Sequence, residues 1–406
     1  MPPSVTGLPE RRTDLDWIRV VVFAGLIFYH VGLLYAPWSP YFMKSAYSHK
    51  AVEVLLLHTH PWRMSLLFLI SGASTRFMSD RRSPDKLGAE RSLRLLPPLL
   101  LGFVLFIPLQ HYFTLLKTTP YEASYFDFLR DFFLAPKHEL TIRGQPFALP
   151  VYGHLWFVLY LWAYTVVLCA LLFLARGRFA WVERMVAGAL RGPWLLVLPL
   201  AACLALRVAL YPDLGFTLKF YDDWYAHAVS FAMFVLGFLI AKRERVWDDM
   251  VRLRWPALGM AAAAFAVYAV MALENGGVSE PIESANPLMH LVYSVEQWTA
   301  IVALLGFGRR HLRRDGKVLR YLNSGVFTYY IVHQAALLLC LYWLAPFGLH
   351  PGVEATLIVV VTFTVCFASY ELVRRVGWLR LLFGQRYRAR KPAPWRPPVL
   401  AAETAV

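Results

Sequence analysis

The chain has 406 residues, of which 58% are hydrophobic and 17% charged, and its formal net charge is +15. A soluble chain of this length carries more charge, and disordered, collagen-like or disulfide-stapled chains have other compositions, so these classes are excluded. The apolar residues fall in runs of about 20, the length of a helix that crosses a bilayer, which indicates a polytopic membrane protein.

Ten such runs predict an all-α fold of ten transmembrane helices, at residues 17–36, 52–75, 95–113, 152–175, 193–211, 224–241, 255–273, 288–307, 321–345 and 353–373. If the N-terminus is cytoplasmic, 31 of the 41 Lys and Arg residues lie on the cytoplasmic side and 7 on the opposite side. This asymmetry follows the positive-inside rule and predicts that both termini are cytoplasmic. The positive charge therefore reflects topology and attraction to anionic lipid, and no nucleic-acid partner is predicted.

The runs also define the predicted domain organisation. It consists of a cytoplasmic tail at 1–16, a membrane domain at 17–373 and a basic, Pro-rich cytoplasmic tail at 374–406. All four cysteines lie within predicted spans, so disulfide bonds are not expected.

Arg19 and His30 are the ionisable residues of the first span that point to chemistry. They are eleven residues apart, close to three helical turns, so both lie on one face of the helix. A deep histidine joined by one face to an arginine at the cytoplasmic end suits a channel entered from the cytoplasm. Alternatively, Arg19 snorkels to the membrane surface and His30 forms a hydrogen bond between helices.

Further basic residues lie inside the second run and just before the third. Pro61 predicts a kink that turns His60 and Arg63 inward, whereas Ser71 and Gly72 are favoured as small residues for close helix packing. Arg91 and Arg94 share a helix face beside the start of the third span and suit a phosphate clamp, although ordinary positive-inside charge explains them too.

Several other ionisable or polar residues are candidates for substrate binding or structure, because such groups in a bilayer usually face a protein interior. His154 opens the fourth span, where an anchor beside the aromatic belt is the favoured interpretation. The full set of these candidates is Asp16, His60, Ser71, His154, Glu296, His333 and Glu371. No metal is predicted, because the histidines lack a spacing that gathers three ligands on one helix. No phosphate-binding loop, H-E-x-x-H or G-x-S-x-G motif occurs.

Taken together, these residues resemble the acyltransferase-3 family of integral membrane acyltransferases. The motifs are Arg19 with His30 ten intervening residues later, Phe68 to Gly72, Arg91 with Arg94, His154 to Phe157, Tyr330 to His333, and Tyr370-Glu371 with Leu382 to Gly384. The run from Arg63 to Gly72 is most similar to the periplasmic glucan succinyltransferase branch, often called glucans biosynthesis protein C. Ala73 departs from that pattern, because the family commonly has an aromatic residue there.

The resemblance implies a bacterial inner-membrane enzyme that moves a succinyl or acetyl group from cytoplasmic acyl-CoA to a hydroxyl of a periplasmic glycan. Arg91 and Arg94 would hold the phosphates of CoA, and the pantetheine arm would pass Arg19 and bring the thioester to His30. His30 would act as general base or as transient acyl carrier. Arg63 would stabilise the oxyanion or bind a carboxylate of a dicarboxylic donor.

Two other functions account for part of the pattern. A proton-coupled transporter of a small anion would use His30, Glu296 and His333 as a proton relay and Arg63 as the anion site. A noncatalytic scaffold of a glycan-synthesis complex would explain the apolar composition but leaves the spacing of Arg19 and His30 as coincidence.

Overall fold

The computed structural model describes residues 11–37, 41–134, 141–142, 145–146, 152–175, 178–274 and 286–385. Most of the predicted N-terminal tail and the Pro-rich end of the predicted C-terminal tail lie outside the described residues.

The described chain is almost entirely helical, as the sequence predicts. Its α-helices are α1 (Thr13–Tyr35), α2 (Lys50–Leu57), α3 (Arg63–Ser79), α4 (Pro84–Leu101), α5 (Ile107–Thr118), α6 (Tyr125–Leu134), α7 (Trp156–Leu174), α8 (Phe179–Ala189), α9 (Trp194–Leu214), α10 (Trp224–Ile240), α11 (Glu244–Glu274), α12 (Pro287–His311), α13 (Lys317–Leu344), α14 (Pro351–Arg375) and α15 (Gly377–Leu382). A π-helical turn (Gly102–Phe106) joins α4 to α5, and 3₁₀ turns lie at Gly153–Leu155 and Ala345–Phe347. Two antiparallel two-residue strands, β1 (Thr141–Ile142) and β2 (Gln145–Pro146), are the exception to the all-α prediction.

Eight helical segments in the described chain are long and apolar enough to cross a membrane, and they coincide with eight of the ten predicted runs. Of the other two runs, one forms the shorter apolar helix α10 (Trp224–Ile240). The polytopic helical class is therefore confirmed.

The second run was wrongly predicted as a single helix. α2 ends at Leu57 and α3 begins at Arg63, with a turn over residues 58–62 between them. Pro61 lies in this turn, and a proline removes a backbone donor and clashes with the preceding helical turn. The break goes further than the predicted kink, and it places Arg63 at the start of a helix.

Two segments predicted as plain loops contain helices. The amphipathic α6 lies in the predicted loop 114–151, and α8 lies between the fourth and fifth runs. Both are much shorter than the about 20 apolar residues of a membrane span, so the pattern of long apolar runs does not reveal them.

The third run is part of a longer element. α4, the π-helical turn and α5 form one continuous segment, with Pro97 and Pro98 inside α4. Two prolines weaken the hydrogen-bond ladder, and single π-helical turns inside α-helices are frequent at functional sites.

α3 and α10 pack backbone against backbone. A Cβ atom on Gly72 would overlap the carbonyl oxygen of Phe234, and one on Gly237 would overlap that of Leu69. Small residues allow such an approach between membrane helices. Gly72 therefore has the role in close helix packing that the sequence favoured for this small residue.

The segment after α1 folds back and caps that helix. Lys44 Nζ donates to the carbonyls of Leu33 and Ala36 at 2.7 and 2.8 Å, and the Ser45 N–H donates to the Leu34 carbonyl at 2.9 Å. Because the last carbonyls of a helix have no partner within it, these bonds satisfy groups that would otherwise be orphaned. They also return the chain from residue 41 onward to the end of α1 that holds His30. All four cysteines are free, as predicted.

Candidate functional site

The first part of the site is a pair of histidines on neighbouring helices. α1 packs against α13, and His30 Nδ1 lies 2.9 Å from His333 Nε2. His333 Nδ1 is in turn 2.6 Å from the carbonyl oxygen of Tyr330. His333 is 1% exposed, and His30 is partly buried.

These contacts fix which ring nitrogens carry protons. A carbonyl oxygen only accepts, so His333 must carry its proton on Nδ1 and present a lone pair at Nε2. His30 must then donate from Nδ1, which leaves its own Nε2 with a lone pair. The Tyr330 carbonyl, His333 and His30 thus form a chain that ends in a basic nitrogen, the group that a general base or a nucleophile requires.

His154 completes what we call the histidine centre (His30, His154 and His333). Its ring lies 5.4 Å from that of His333, and its Nε2 donates to the carbonyl of Ile331 at 3.3 Å. The Tyr330 hydroxyl donates to the His154 carbonyl. His154 is 7% exposed, so the interpretation as an anchor in the aromatic belt is wrong. The 3₁₀ turn before α7 carries it inward instead.

Tyr41 and Arg63 border the histidine centre. The Tyr41 ring stacks on that of His30 at 6.1 Å with an interplanar angle of 10°. Arg63 interacts electrostatically with His30, and its guanidinium lies 3.5 Å from the centre of the Tyr29 ring. The Tyr29 hydroxyl also contacts His60 Nδ1 at 3.3 Å, which places this predicted candidate beside the site.

The charge on Arg63 has no carboxylate partner among the described residues. Its Nη1 donates to the Thr59 hydroxyl at 3.0 Å, whereas Nε is buried without a hydrogen-bond partner. Burial of an unpaired charge is costly, so the arrangement calls for an anionic group.

The second part of the site is an arginine cluster (Arg19, Arg91 and Arg94), toward the N-terminal end of α1. Arg91 is 7% exposed, and its Nε and Nη2 atoms have no hydrogen-bond partner within the described chain. The three guanidiniums are close enough to repel one another electrostatically. Arg19 also donates to Ser74 at 2.6 Å and lies 3.5 Å from Asp16 and from Asn323, so one carboxylate partly balances the cluster.

α1 and α13 connect the two parts. Arg19 contacts Asn323 of α13, and His30 contacts His333 of the same helix. The prediction that Arg19 and His30 share one helical face is therefore confirmed. At 1.5 Å per residue they are about 16 Å apart along the axis.

The motif near the end of the described chain packs against the backbone of Arg94. Gly384 has φ +65°, and a Cβ atom there would overlap the carbonyl oxygen of Arg94. Glu371 accepts from Tyr321 at 2.8 Å and from Arg374 at 2.9 Å. Gly384 therefore packs against α4, and Glu371 forms a hydrogen bond with α13.

Two other predicted candidates lie in different surroundings. Glu296 is fully buried and pairs with His58 at 3.3 Å, and no contact joins it to the histidine centre among the described residues. Ser71 accepts from the Thr75 hydroxyl through its backbone carbonyl.

Sequence reasoning missed Tyr41, Ser74 and the backbone of Tyr330 as parts of the site. Tyr41 lies outside every predicted span, and only the folded segment after α1 brings it to His30. A main-chain carbonyl has no sequence signature at all. Among the described residues, no group of three or more His, Cys, Asp or Glu side chains could hold a metal ion.

These features define a polytopic helical membrane protein with a buried histidine centre and a separate cluster of arginines. The chain belongs to the acyltransferase-3 family, whose model, described as an acyltransferase domain, matches residues 12–371. The protein is thus a membrane acyltransferase. No curated protein and no solved structure matches the chain.

Proposed function

We propose that this acyltransferase moves a succinyl or acetyl group from cytoplasmic acyl-CoA to a hydroxyl of a periplasmic or cell-envelope glycan in the bacterial inner membrane. The observation that carries the proposal is the His30–His333 pair, because it leaves one basic nitrogen on the partly buried His30. The similarity of the run from Arg63 to Gly72 to the glucan succinyltransferase branch supports succinyl transfer to periplasmic glucan.

The topology in this proposal has ten spans and cytoplasmic termini. The distribution of Lys and Arg supports it, with 31 residues on one side and 7 on the other. The arginine cluster then faces the cytoplasm, where CoA is available, and the histidine centre lies further toward the periplasm.

The arginine cluster holds the phosphates of CoA. Arg91 brings two donor atoms that have no partner among the residues the structure describes, and Arg94 and Arg19 add positive charge beside it. Guanidinium groups bind phosphate through paired N–H donors. The elongated pantetheine arm then extends along α1 and brings the thioester to His30.

His30 Nε2 takes the proton of the acceptor hydroxyl as that oxygen attacks the carbonyl carbon of the thioester. The C–O bond forms, the C–S bond breaks, and the proton passes from His30 to the departing thiolate to give free CoA. His333 stabilises the transient imidazolium by accepting its Nδ1 proton in a hydrogen bond. A route through an acyl group on His30 uses the same lone pair.

Arg63 is the cation nearest this chemistry. Its Nε is buried and has no partner within the described ranges, which supports a contact with substrate, either the oxyanion that forms at the thioester carbonyl or the free carboxylate of a succinyl donor.

The test uses the full chain in lipid nanodiscs with succinyl-CoA or acetyl-CoA and a glucan acceptor. We expect release of free CoA and a matching mass increment on the glucan from the wild type, and neither from His30→Ala at the same protein level. Unchanged glucan mass with the wild type, or full activity of His30→Ala, would contradict the proposal.

A further inference from the structure

His154 contains a buried acceptor atom that the mechanism above does not use. Its Nε2 faces the carbonyl of Ile331 and must carry the ring proton, so Nδ1 holds a lone pair. That Nδ1 atom is buried and has no hydrogen-bond donor among the described residues. Buried polar atoms are rarely left without a partner, and an exception calls for an explanation.

The surroundings of His154 fix its place and its protonation. The Ile331 carbonyl binds one edge of the ring, and the Tyr330 hydroxyl binds the His154 backbone. Its ring lies against His333, the residue that holds His30. Two imidazole lone pairs, His154 Nδ1 and His30 Nε2, are therefore presented within one histidine centre.

A second unpartnered atom lies in the same region. The Tyr41 hydroxyl is buried without a hydrogen-bond partner in the described part of the chain, and its ring stacks on His30. A hydroxyl both donates and accepts, whereas the two imidazole nitrogens only accept. The complementary ligand therefore offers several O–H groups and at least one acceptor oxygen.

The charges of the site narrow this ligand further. Arg63 interacts electrostatically with His30, so an ammonium donor would meet repulsion. A neutral polyol has the required donors without a positive charge. Sugars carry such hydroxyls on neighbouring carbons.

We propose that His154 Nδ1 accepts a hydrogen bond from a second hydroxyl of the acceptor, adjacent to the hydroxyl that is acylated, and so selects polyols over simple alcohols. This inference rests on the proposed function and adds the recognition of the acceptor to it. His154 is a specificity residue in this role and takes no part in the transfer of the acyl group.

Two substitutions separate the roles of the two ring nitrogens. His154→Gln keeps an amide N–H near the position of Nε2, which can still donate to Ile331, but it removes the acceptor at Nδ1. His154→Asn keeps a carbonyl oxygen near the position of Nδ1. Both variants leave the interior polar, so thermal unfolding can be matched before activity is compared.

The experiment measures CoA release by the full chain in nanodiscs, with methyl glucoside and its monodeoxy derivatives as acceptors. For the wild type, we expect kcat/KM to fall at least 10-fold for one monodeoxy derivative, which is a typical loss for one buried hydrogen bond. For His154→Gln, we expect the acceptor KM to rise about 10-fold while the acyl-CoA KM stays constant, and the discrimination between parent and derivative to disappear. His154→Asn should retain part of that discrimination.

Three results would overturn the inference. If the wild type has equal kcat/KM for methyl glucoside and every monodeoxy derivative, no second hydroxyl is recognised. An equal loss for the parent and all derivatives in His154→Gln shows a structural role. Failure of the wild type to acylate methyl glucoside contradicts the proposed function together with this inference, and so differs from the first two results.

Discussion

His30 Nδ1 lies 2.9 Å from His333 Nε2 and joins α1 to α13 through two rings. The second ring is held by the Tyr330 carbonyl, which lies 2.6 Å from His333 Nδ1. This chain of contacts keeps the His30 proton on Nδ1 and its lone pair on Nε2. The arrangement corresponds chemically to an acceptor that orients a catalytic imidazole, with a neutral histidine in the place of a carboxylate.

The first prediction concerns the orienting role of His333. His333→Gln retains an amide oxygen that can accept from His30, whereas His333→Asn is too short to reach it. Because a correctly oriented base contributes about 10²–10⁴-fold, we expect kcat to fall about 100-fold in His333→Asn and clearly less in His333→Gln. Steady-state release of free CoA measures both. Equal kcat values for the two variants at matched thermal stability would argue against an orienting role.

The second prediction concerns the choice of acyl donor by Arg63. This guanidinium is buried without a carboxylate partner among the described residues, and a permanent charge is best balanced by another permanent charge. We therefore expect Arg63→Met to lower kcat/KM for succinyl-CoA about 100-fold and for acetyl-CoA less than 10-fold, since a buried charge contact is worth several kcal/mol. Competition between the two donors in one reaction gives the ratio of their kcat/KM values directly.

Arg252→Met is the matched control for Arg63→Met. The Arg252 side chain is 79% exposed and pairs with Asp249 of its own helix at 3.5 Å, so its loss should change kcat/KM for neither donor. If Arg63→Met lowers kcat/KM equally for succinyl-CoA and acetyl-CoA, Arg63 stabilises the oxyanion, and the proposed contact with a donor carboxylate is wrong.

The third prediction concerns the arginine cluster. Arg91→Gln removes a buried cation that has two donor atoms without partners in the described structure, so the KM for acyl-CoA should rise about 10- to 100-fold. An acyl-pantetheine donor lacks the nucleotide phosphates and should show the same kcat/KM with variant and wild type. Arg320→Gln serves as control, because Arg320 is exposed and pairs with Asp315 at 2.7 Å. Equal losses for both donors would place Arg91 outside phosphate binding.

The sequence predicted the membrane class and the shared face of Arg19 and His30, because both follow from local periodicity and charge. It could not predict that His154 and Tyr41 meet the His30–His333 pair. Those contacts join α1, α13, the 3₁₀ turn before α7 and the segment after α1, and they depend on how helices pack. The spacing of residues along a helix shows which face each residue lies on, but it does not show which other element packs against that face.

The break between α2 and α3 shows another limit of sequence patterns. The apolar run 52–75 satisfies the length criterion for one span, and Pro61 predicted only a kink. In the structure Arg63 lies over the Tyr29 ring and bonds to Thr59, contacts that the complete break permits. A proline indicates where a helix is weakened, whereas tertiary contacts decide how far it opens.

The fourth prediction concerns pH and Asp223. Burial raises the pKa of the Asp223 carboxyl group above its ordinary 3.8, and hydrogen bonds from Tyr160 and the Thr217 N–H offset this only in part. The folded state therefore binds this proton more tightly than the unfolded state. The resulting stabilisation is present below about pH 4 and is lost as the pH rises through the folded pKa. Melting temperatures in detergent should consequently decline more steeply above pH 4 in the wild type than in Asp223→Asn, and parallel curves would contradict the assignment.

The fifth prediction concerns the close contact between α3 and α10. Gly72→Ala would force a methyl group onto the Phe234 carbonyl, and because both partners are backbone the helices must move apart. Overpacking of this kind costs about 1–3 kcal/mol, so the melting temperature in detergent should fall. Gly259→Ala in α11 is the control, since no described atom beyond the surrounding turns of its own helix lies within 4 Å of a Cβ atom there. Alanine is favoured over glycine inside a helix by about 0.5–1 kcal/mol, so the control should melt at the same or a higher temperature. A Gly72→Ala protein as stable as the control would show that α3 and α10 are not in contact at this point.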